Sequence, residues 1–444
     1  MVASLKVATD FSGLGSPEEA LKRLQVEHEV VFACDKDKYA KAAYLANHNP
    51  GIFYDDITTR NHAEAPQSDI YIFGFPCQAF SLAGNRKGFE DTRGTLVYNS
   101  AEYIRTHRPR VFVAENVKGL LSHDKPKGSK SKFGRTFGVI RDLFGCTVNG
   151  QQNLYKYKDC LDYHIFFQVL NSKDYTVPQN RERVFIVGFR DEKDANTFSF
   201  PKKIPLIKRL KDLLEDIVDD KYNLSDKMLK WLIMHSHKNK EKGNGFNFNP
   251  TEGEDIAACI NSRVHKMGVD DNYIKVPIDS SILFIKENTA KGYAEADLFD
   301  SVNYSNPTSK TRRGRVGKQI ANTLDTACNQ AVIVPIQLNL SLESAGVQPY
   351  MQNRVYDPDA ISPSLTVEAA HTLNVFYNYI IRRLTPKECF RLQGYSDEFF
   401  EKCALVNSDT QLYIRAGNSI TVDTIMHLLI QILKAINIPY KLAA

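Results

Sequence analysis

Short β-rich apolar runs alternate with helical stretches over residues 1–200, and this alternation restricts the chain to α/β architecture. The expected arrangement is a mostly parallel sheet with helices on both faces. Leu5–Asp10, Glu29–Cys34, Ile70–Phe75 and Val111–Ala114 read as buried strands, with further strands expected at His164–Leu170 and Arg183–Phe189. A glycine loop, Phe11 to Gly15, follows the first strand. Ser16 is then expected as a helix N-cap, with Pro17 in the first turn and Glu19 at the capping-box position. The next three runs lead to Asp35, to Pro76 and Cys77, and to Glu115 and Asn116. Ligands of open α/β sheets bind beyond the carboxyl ends of the strands, so Gly13, Gly15, Asp35, Cys77 and Glu115 are expected to converge in space.

The rhythm is lost after about residue 200. Residues 201–375 carry loops, an Asn/Gly-rich stretch at Gly243–Pro250, a basic cluster at Lys310–Lys318 and short β-like runs at Ala331–Leu340 and Pro363–Val367. They read as a second, smaller, loop-rich domain inserted between a first part, 1–200, and a return to it, 376–444. Regular structure resumes with Thr385 as N-cap, Pro386 after it, Glu388 closing a capping box and Gly394 as the stop. A last amphipathic helix is expected from Val422 to Ile436.

Composition removes several classes. With 43% hydrophobic and 25% charged residues, a largely disordered chain is excluded. No apolar run reaches the roughly 18 residues of a membrane span. The N-terminus does not read as a signal peptide, so the expected compartment is the cytoplasm, at the nucleoid if the source is bacterial. Eight cysteines are scattered singly, without a C-x-x-C pair, which argues against a disulfide framework and against a structural metal. A net charge of +5 gives a mild bias toward anionic partners such as nucleic acid.

Each motif has a chemical and a bland reading. Gly13 and Gly15 let a backbone approach a ligand, but the third glycine of the dinucleotide fingerprint is missing, because Glu18 holds its place. Asp35 is spaced to grip ribose hydroxyls. Together they fit an adenosine cofactor without a diphosphate, with S-adenosylmethionine foremost, although a lone glycine pair is usually only a turn. Cys77, behind Pro76, is a candidate thiolate nucleophile, whereas a lone cysteine is more often buried structure. The loop Ser81–Thr95 is polar and glycine-rich and could close over a substrate. Glu115 at a buried strand end would have a raised pKa and could donate a proton; the alternative is a plain ion pair. Arg181 and Arg183 alternate on an extended chain and so share a face, suited to a carbonyl oxygen or to solvent.

In this order along the chain, these residues resemble the cytosine-C5 DNA methyltransferase family. Asp10 to Gly15 is similar to its first, cofactor motif, with Ser16 where the family has a second glycine. Asp35 resembles the ribose-binding acid, and Lys36 stands where many members carry an aromatic. Asp56 and Ile57 resemble the pair that contacts adenine. Gly74 to Gln78 is similar to the nucleophile motif, and Arg93 to Leu96 to the helix start that follows. Glu115 to Val117 and Gln179, Arg181, Arg183 match without departure. Arg383 to Cys389 with Leu392 to Tyr395, and Gly417 to Ile420, resemble the last two motifs.

The resemblance implies a methyltransferase fold of Rossmann-like type plus a target-recognition domain at 201–375. It implies S-adenosylmethionine as cofactor, leaving as S-adenosylhomocysteine. Phe11, Ser12, Gly13, Leu14, Gly15, Asp35, Lys36, Asp56, Ile57, Pro76, Leu96, Asn418 and Ser419 form the expected cofactor set. Cys77, Glu115, Arg181 and Arg183 form the expected catalytic set. Cys77 would add to C6 of a flipped cytosine, Glu115 would serve N3, Arg183 would hold O2, and Arg181 would assist or be structural. The implied partner is double-stranded DNA, the enzyme acting as a monomer, with a cognate restriction endonuclease as a candidate companion. The Lys310–Lys318 cluster would meet phosphates. Two alternatives stay open: a tRNA cytosine methyltransferase of the same family, and a DNA-binding relative without activity. A nicotinamide dehydrogenase is disfavoured by the missing glycine.

Overall fold

The computed structural model describes residues 4–76, 95–277, 283–286, 293–296, 301–303, 316–317, 330–332 and 379–441. The chain forms two compact units, one of residues 1–274 with 382–444 and the other of residues 275–381.

The first unit is built on a nine-stranded sheet, ordered β3-β2-β1-β4-β5-β9-β8-β6-β7. Its strands are β1 (Leu5–Asp10), β2 (His28–Cys34), β3 (Ile52–Tyr54), β4 (Ile70–Phe73), β5 (Val111–Val117), β6 (Gly145–Val148), β7 (Gln151–Gln152), β8 (Tyr163–Asn171) and β9 (Glu182–Phe189). The run from β3 to β5 is parallel throughout. β9 then pairs antiparallel with both β5 and β8. The α-helices are α1 (Ser16–Arg23), α2 (Lys38–Leu45), α3 (Thr95–His107), α4 (Arg135–Phe144), α5 (Glu192–Ala195), α6 (Asp226–Glu241), α7 (Pro386–Arg391), α8 (Asp397–Ala404), α9 (Asp409–Asn418) and α10 (Val422–Ala435). Every residue of β4 is buried, so both faces of the sheet are covered. Tyr71, Phe73, Phe112 and Ala114 pack on one face against Val97, Ala101 and Ile104 of α3 and Ile140, Leu143 and Phe144 of α4. In α10, Val422, Ile425, Leu428, Leu429, Ile432 and Leu433 recur at helical spacing and are all buried. Each such side chain contributes about 1.5–3 kcal/mol when fully buried.

Strands β10 (Tyr273–Pro277) and β16 (Tyr379–Arg383) pair with each other and carry the chain out of the first unit and back. Within the second unit, β11 (Leu283–Lys286) pairs antiparallel with β12 (Tyr293–Ala296), and β13 (Ser301–Asn303) pairs with β14 (Val316–Gly317) and β15 (Gln330–Val332).

Three expectations shift. Ser16 is the first helical residue rather than the N-cap; Gly15 caps α1 in left-handed geometry at φ 77. The Ser16 hydroxyl is taken elsewhere, as described below. β5 continues through Glu115 to Val117, because antiparallel pairing with β9 extends the ladder to Val117↔Arg183. The first compact unit also reaches residue 274 rather than ending near 200. Residues 201–274 are attached to the C-terminal return by polar contacts that leave no periodicity. Arg391 Nη1 donates to the carbonyls of Leu213 and Leu214 (3.1 Å each), and Tyr222 donates to Asp409 (2.9 Å). The capping box at Thr385 and Glu388 forms as expected, and Glu388 also holds Arg382 in a bidentate pair at 2.7 Å. Residues 310–315 and 318 of the basic cluster, 363–367 and most of 81–95 lie outside the described residues.

Candidate active site

The glycine loop turns sharply off β1, with positive φ at Phe11, Gly13 and Gly15. A side chain at Gly15 would run into the His48 ring, so only glycine fits there. Ser12 ties the ends of two strands, its hydroxyl accepting from the Cys34 amide at 3.0 Å. The Gly13 amide donates to Asp35 Oδ2 at 2.9 Å, and the Asp37 amide donates to Oδ1 at 2.9 Å. Burial raises the Asp35 carboxyl above its ordinary value, and these two amide donors oppose the rise.

A cleft opens over this loop. Its walls include Phe11, Ser12, Gly13, Leu14, Ser16, Gly74, Glu115, Asn418, Ser419 and Ile420. Motifs from both ends of the sequence therefore meet at one sheet edge. Ser16 is the joint: its hydroxyl lies 2.7 Å from Tyr395 Oη and 3.0 Å from Ser419 Oγ, and it donates to the Ile420 carbonyl at 2.9 Å. Asp35 stands one hydrogen bond behind the wall. Lys36 and Asp56 form an ion pair with each other at 2.8 Å, which with two Thr58 bonds holds Asp56 at about 2. Ile57 is buried beside them, just past β3. Pro76 is exposed, and Leu96 half-exposed in the first turn of α3.

Glu115 lies on β5 opposite Phe185, which places Arg183 diagonally across the ladder on the same face. Arg183 Nε reaches Glu115 Oε1 at 3.1 Å. Burial raises the Glu115 carboxyl, while Arg183 and, less strongly, Arg181 pull it down. Gly74 sits beside the other carboxylate oxygen, and Asn116 Nδ2 donates to the Phe75 carbonyl at 2.8 Å. The segment leading to Cys77 is thus pinned next to Glu115. Cys77 itself lies outside the described residues.

Arg181 is 2% exposed, and its guanidinium is committed to backbone. Nη1 donates to the Ile260 carbonyl (2.6 Å), and Nη2 to those of Gly417 (3.0 Å) and Ser419 (2.7 Å). Desolvation lowers it to about 10. Gln179 works in parallel, donating to the Leu392 carbonyl at 2.6 Å and accepting from the Ile260 amide at 3.2 Å. A Cβ at Gly417 would collide with the Asn261 backbone, so glycine lets this segment close in. Sequence reading placed Tyr395 in a motif without giving it a role, and it missed the parts played by Ile260 and Cys259, whose sulfur lies 3.4 Å from Arg181 Nη1. It also missed Arg60, which pairs bidentately with Asp10 at 2.7 Å beneath the loop. None of these has a local signal, since each depends on a partner distant in sequence.

Comparison with known proteins identifies the family and the fold. A family profile, C-5 cytosine-specific DNA methylase, matches residues 5–434. The chain is 32% identical over 463 residues to the orphan methyltransferase M.SPRI of Bacillus phage SPR, covering 96% of each. It is 38% identical over 253 residues to the type II methyltransferase M.HpaII of Haemophilus parainfluenzae, covering 56% of this chain and 64% of that one. Among solved structures, Spodoptera frugiperda DNMT2 shares the fold at TM-score 0.54 and 16% identity, covering 97% of this chain and 100% of that one. The fold is therefore that of the S-adenosylmethionine-dependent methyltransferases, and the chain belongs to the C-5 cytosine-specific DNA methylase family, whose members are methyl-transferring enzymes.

Proposed function

We propose that this enzyme is a DNA (cytosine-5-)-methyltransferase that modifies a cytosine flipped out of a specific double-stranded sequence, through a covalent bond between Cys77 and C6. The observation that carries the reading is the Glu115–Arg183 pair. It is held at 3.1 Å at the sheet edge where Gly74 and Phe75 lead into Cys77.

The residues present fit the cofactor. The cleft wall carries hydroxyls and backbone amides; its two carboxylates, Asp10 and Glu115, are already paired with Arg60 and Arg183, and no lysine or arginine belongs to the wall among the described residues. Such a wall suits a phosphate-free ligand and would leave a diphosphate without a counter-charge. Gly13, Asp35, Asn418 and Ser419 would hold S-adenosylmethionine, with Asp35 presenting its carboxylate to the ribose. When bound, the cofactor supplies an electrophilic methyl group and leaves as S-adenosylhomocysteine.

The protein supplies the rest. Cytosine C5 is a poor nucleophile until a thiolate adds to C6. The Cys77 sulfur forms that bond, and the ring's electron pair is accommodated by proton donation from Glu115 to N3. The raised Glu115 pKa supports its acid role. Arg183 would hold the O2 carbonyl and fix the ring plane. After C5 has taken its substituent, loss of the C5 proton to a base expels the Cys77 thiolate, and return of the N3 proton to Glu115 restores the neutral aromatic ring. A stacked cytosine cannot reach this edge, so the base must be extruded at a cost of a few kcal/mol. The second unit, 275–381, would read the flanking sequence, and the enzyme would act as a monomer. The type II names of some relatives fit a companion restriction endonuclease, whereas two phage relatives matched over 96% of the chain are named orphan methyltransferases.

Duplex DNA carrying 5-fluorocytosine tests the reading, because fluorine cannot leave as a proton. A denaturation-resistant adduct is expected with the parent enzyme and none with Cys77→Ser. An active parent enzyme that forms no adduct would remove C6 addition. Methyl transfer to tRNA but not to duplex DNA would replace the substrate.

A further inference from the structure

Immediately after β5, a short 3-10 turn (Lys118–Ser122) leads into a loop ending at Gly134, a segment that the chemistry above does not use. Lys125, Lys127, Lys130 and Lys132 fall within it, and all are exposed. No carboxylate occurs in the sequence between Asp124 and Asp142. Asp124 is already taken by Arg135 at 2.9 Å, and Lys118 by Glu182 at 2.9 Å. Among the described residues, none of the four lysines has an acidic partner, so the loop presents an uncompensated positive field.

The base of the loop is built to hold that charge in place. The Gly134 amide donates to the Leu121 carbonyl at 2.8 Å, and His123 Nδ1 lies 2.7 Å from Thr136 Oγ1. Phe133 packs against Phe137 and Phe167, with ring centroids 5.2 and 5.4 Å apart. Inside the loop the Ser129 amide donates to the Pro126 carbonyl, and Ser131 Oγ donates to the Phe133 carbonyl at 2.8 Å. Pinned ends with a charged, solvated tip reduce the ordering cost of binding an anion. The loop leaves the sheet at Val117, two residues beyond Glu115, so it stands at the same edge as the cleft. A strand that delivers a base to Glu115 must bring its flanking phosphates to that edge.

We propose that the loop 118–134 is a docking surface for the phosphate backbone of duplex DNA beside the target base. This rests on the DNA-methyltransferase reading given above. The Lys310–Lys318 cluster is not needed for it.

The test compares the parent enzyme with Lys125→Gln/Lys127→Gln, Lys130→Gln/Lys132→Gln and the fourfold combination, together with a fourfold Lys→Arg variant. Affinity for a duplex containing the methylated site is measured from about 50 to about 200 mM salt, the range over which phosphate contacts dominate. The fourfold Gln variant should bind at least about tenfold more weakly at the low end, and its log–log salt slope should be shallower by about 2 to 4. The Arg variant should match the parent. S-adenosylhomocysteine affinity and melting midpoint report folding, and the two double variants serve if the fourfold one does not fold. Gln variants that keep the parent's affinity and slope overturn the proposal while leaving the methyltransferase reading intact. Loss confined to tRNA binding, with duplex binding unchanged, also overturns it. A parent enzyme that methylates no duplex DNA instead sinks the reading beneath it.

Discussion

Glu115 shows how position and charge state come from different sources. Its place beyond an apolar run was legible, and its raised pKa followed from burial in principle. Only the structure supplies the opposing pull of Arg183 at 3.1 Å. The folded protein favours the protonated carboxyl more than the unfolded chain does. Stability from that source is complete below the ordinary value of 4.5 and is lost as pH rises through the raised value. Glu115→Gln should therefore not lower the melting midpoint above pH 7, and its advantage over the parent should shrink toward pH 4; a larger deficit at high pH would refute the buried-acid assignment. The same variant should lose about 10²–10⁴-fold in kcat, the usual share of a positioned proton donor. Asp35 carries a second prediction at this scale. Its carboxylate accepts from the Gly13 amide, so Asp35→Ala removes a loop anchor and, on the proposed cofactor pocket, a ribose partner as well. Calorimetry should find cofactor affinity reduced about tenfold or more, roughly the loss of one charge-assisted hydrogen bond. DNA affinity should change less, and the reverse order would break the pocket.

Whole elements are fastened to one another by side chains that look catalytic or neutral in the sequence. Arg181 alternates with Arg183 and was expected in the catalytic set, either to assist or to be structural. Its donors reach three backbone carbonyls, which favours the structural of these two roles. Through them the entry to β9, the 257–263 segment and the end of α9 are held together beside the cleft. Lysine cannot reproduce a planar fork with several donors, so Arg181→Lys should be nearly as damaging as alanine. We expect a loss of about 3 kcal/mol or more in denaturant unfolding, from buried carbonyls left unpaired. An Arg181→Lys enzyme with parental stability would return this residue to the chemistry. Ser16 works similarly between α1 and the C-terminal return. Ser16→Gly restores the residue of the resembled motif but deletes three polar contacts with Tyr395, Ser419 and Ile420. Cofactor dissociation should quicken several-fold in stopped-flow measurements; an unchanged rate would show that the hydroxyl joint is dispensable.

Across the whole molecule, the proposed division of labour follows the two units. The first contains every described residue of the cleft, and the second, 275–381, is free of them. Replacing residues 275–381 with the equivalent stretch of a relative should change which sequence is methylated, as read by bisulfite sequencing, while cofactor affinity stays at the parental value. An unaltered methylation pattern would move sequence reading into the first unit.

Local chemistry was enough to identify the parallel strands, the glycine turn and the capping box at Thr385. These depend on apolar alternation, backbone conformation and near neighbours, all of which are written within a few residues. The boundary at 274, the extension of β5 and the release of Ser16 from capping were decided by tertiary contacts. So was the diversion of Arg181 to backbone carbonyls. A hydrogen-bonding group takes whichever partner the fold brings near, and burial sets the strength of that bond. A partner hundreds of residues away, as Ser419 is from Ser16, leaves no mark on the local pattern.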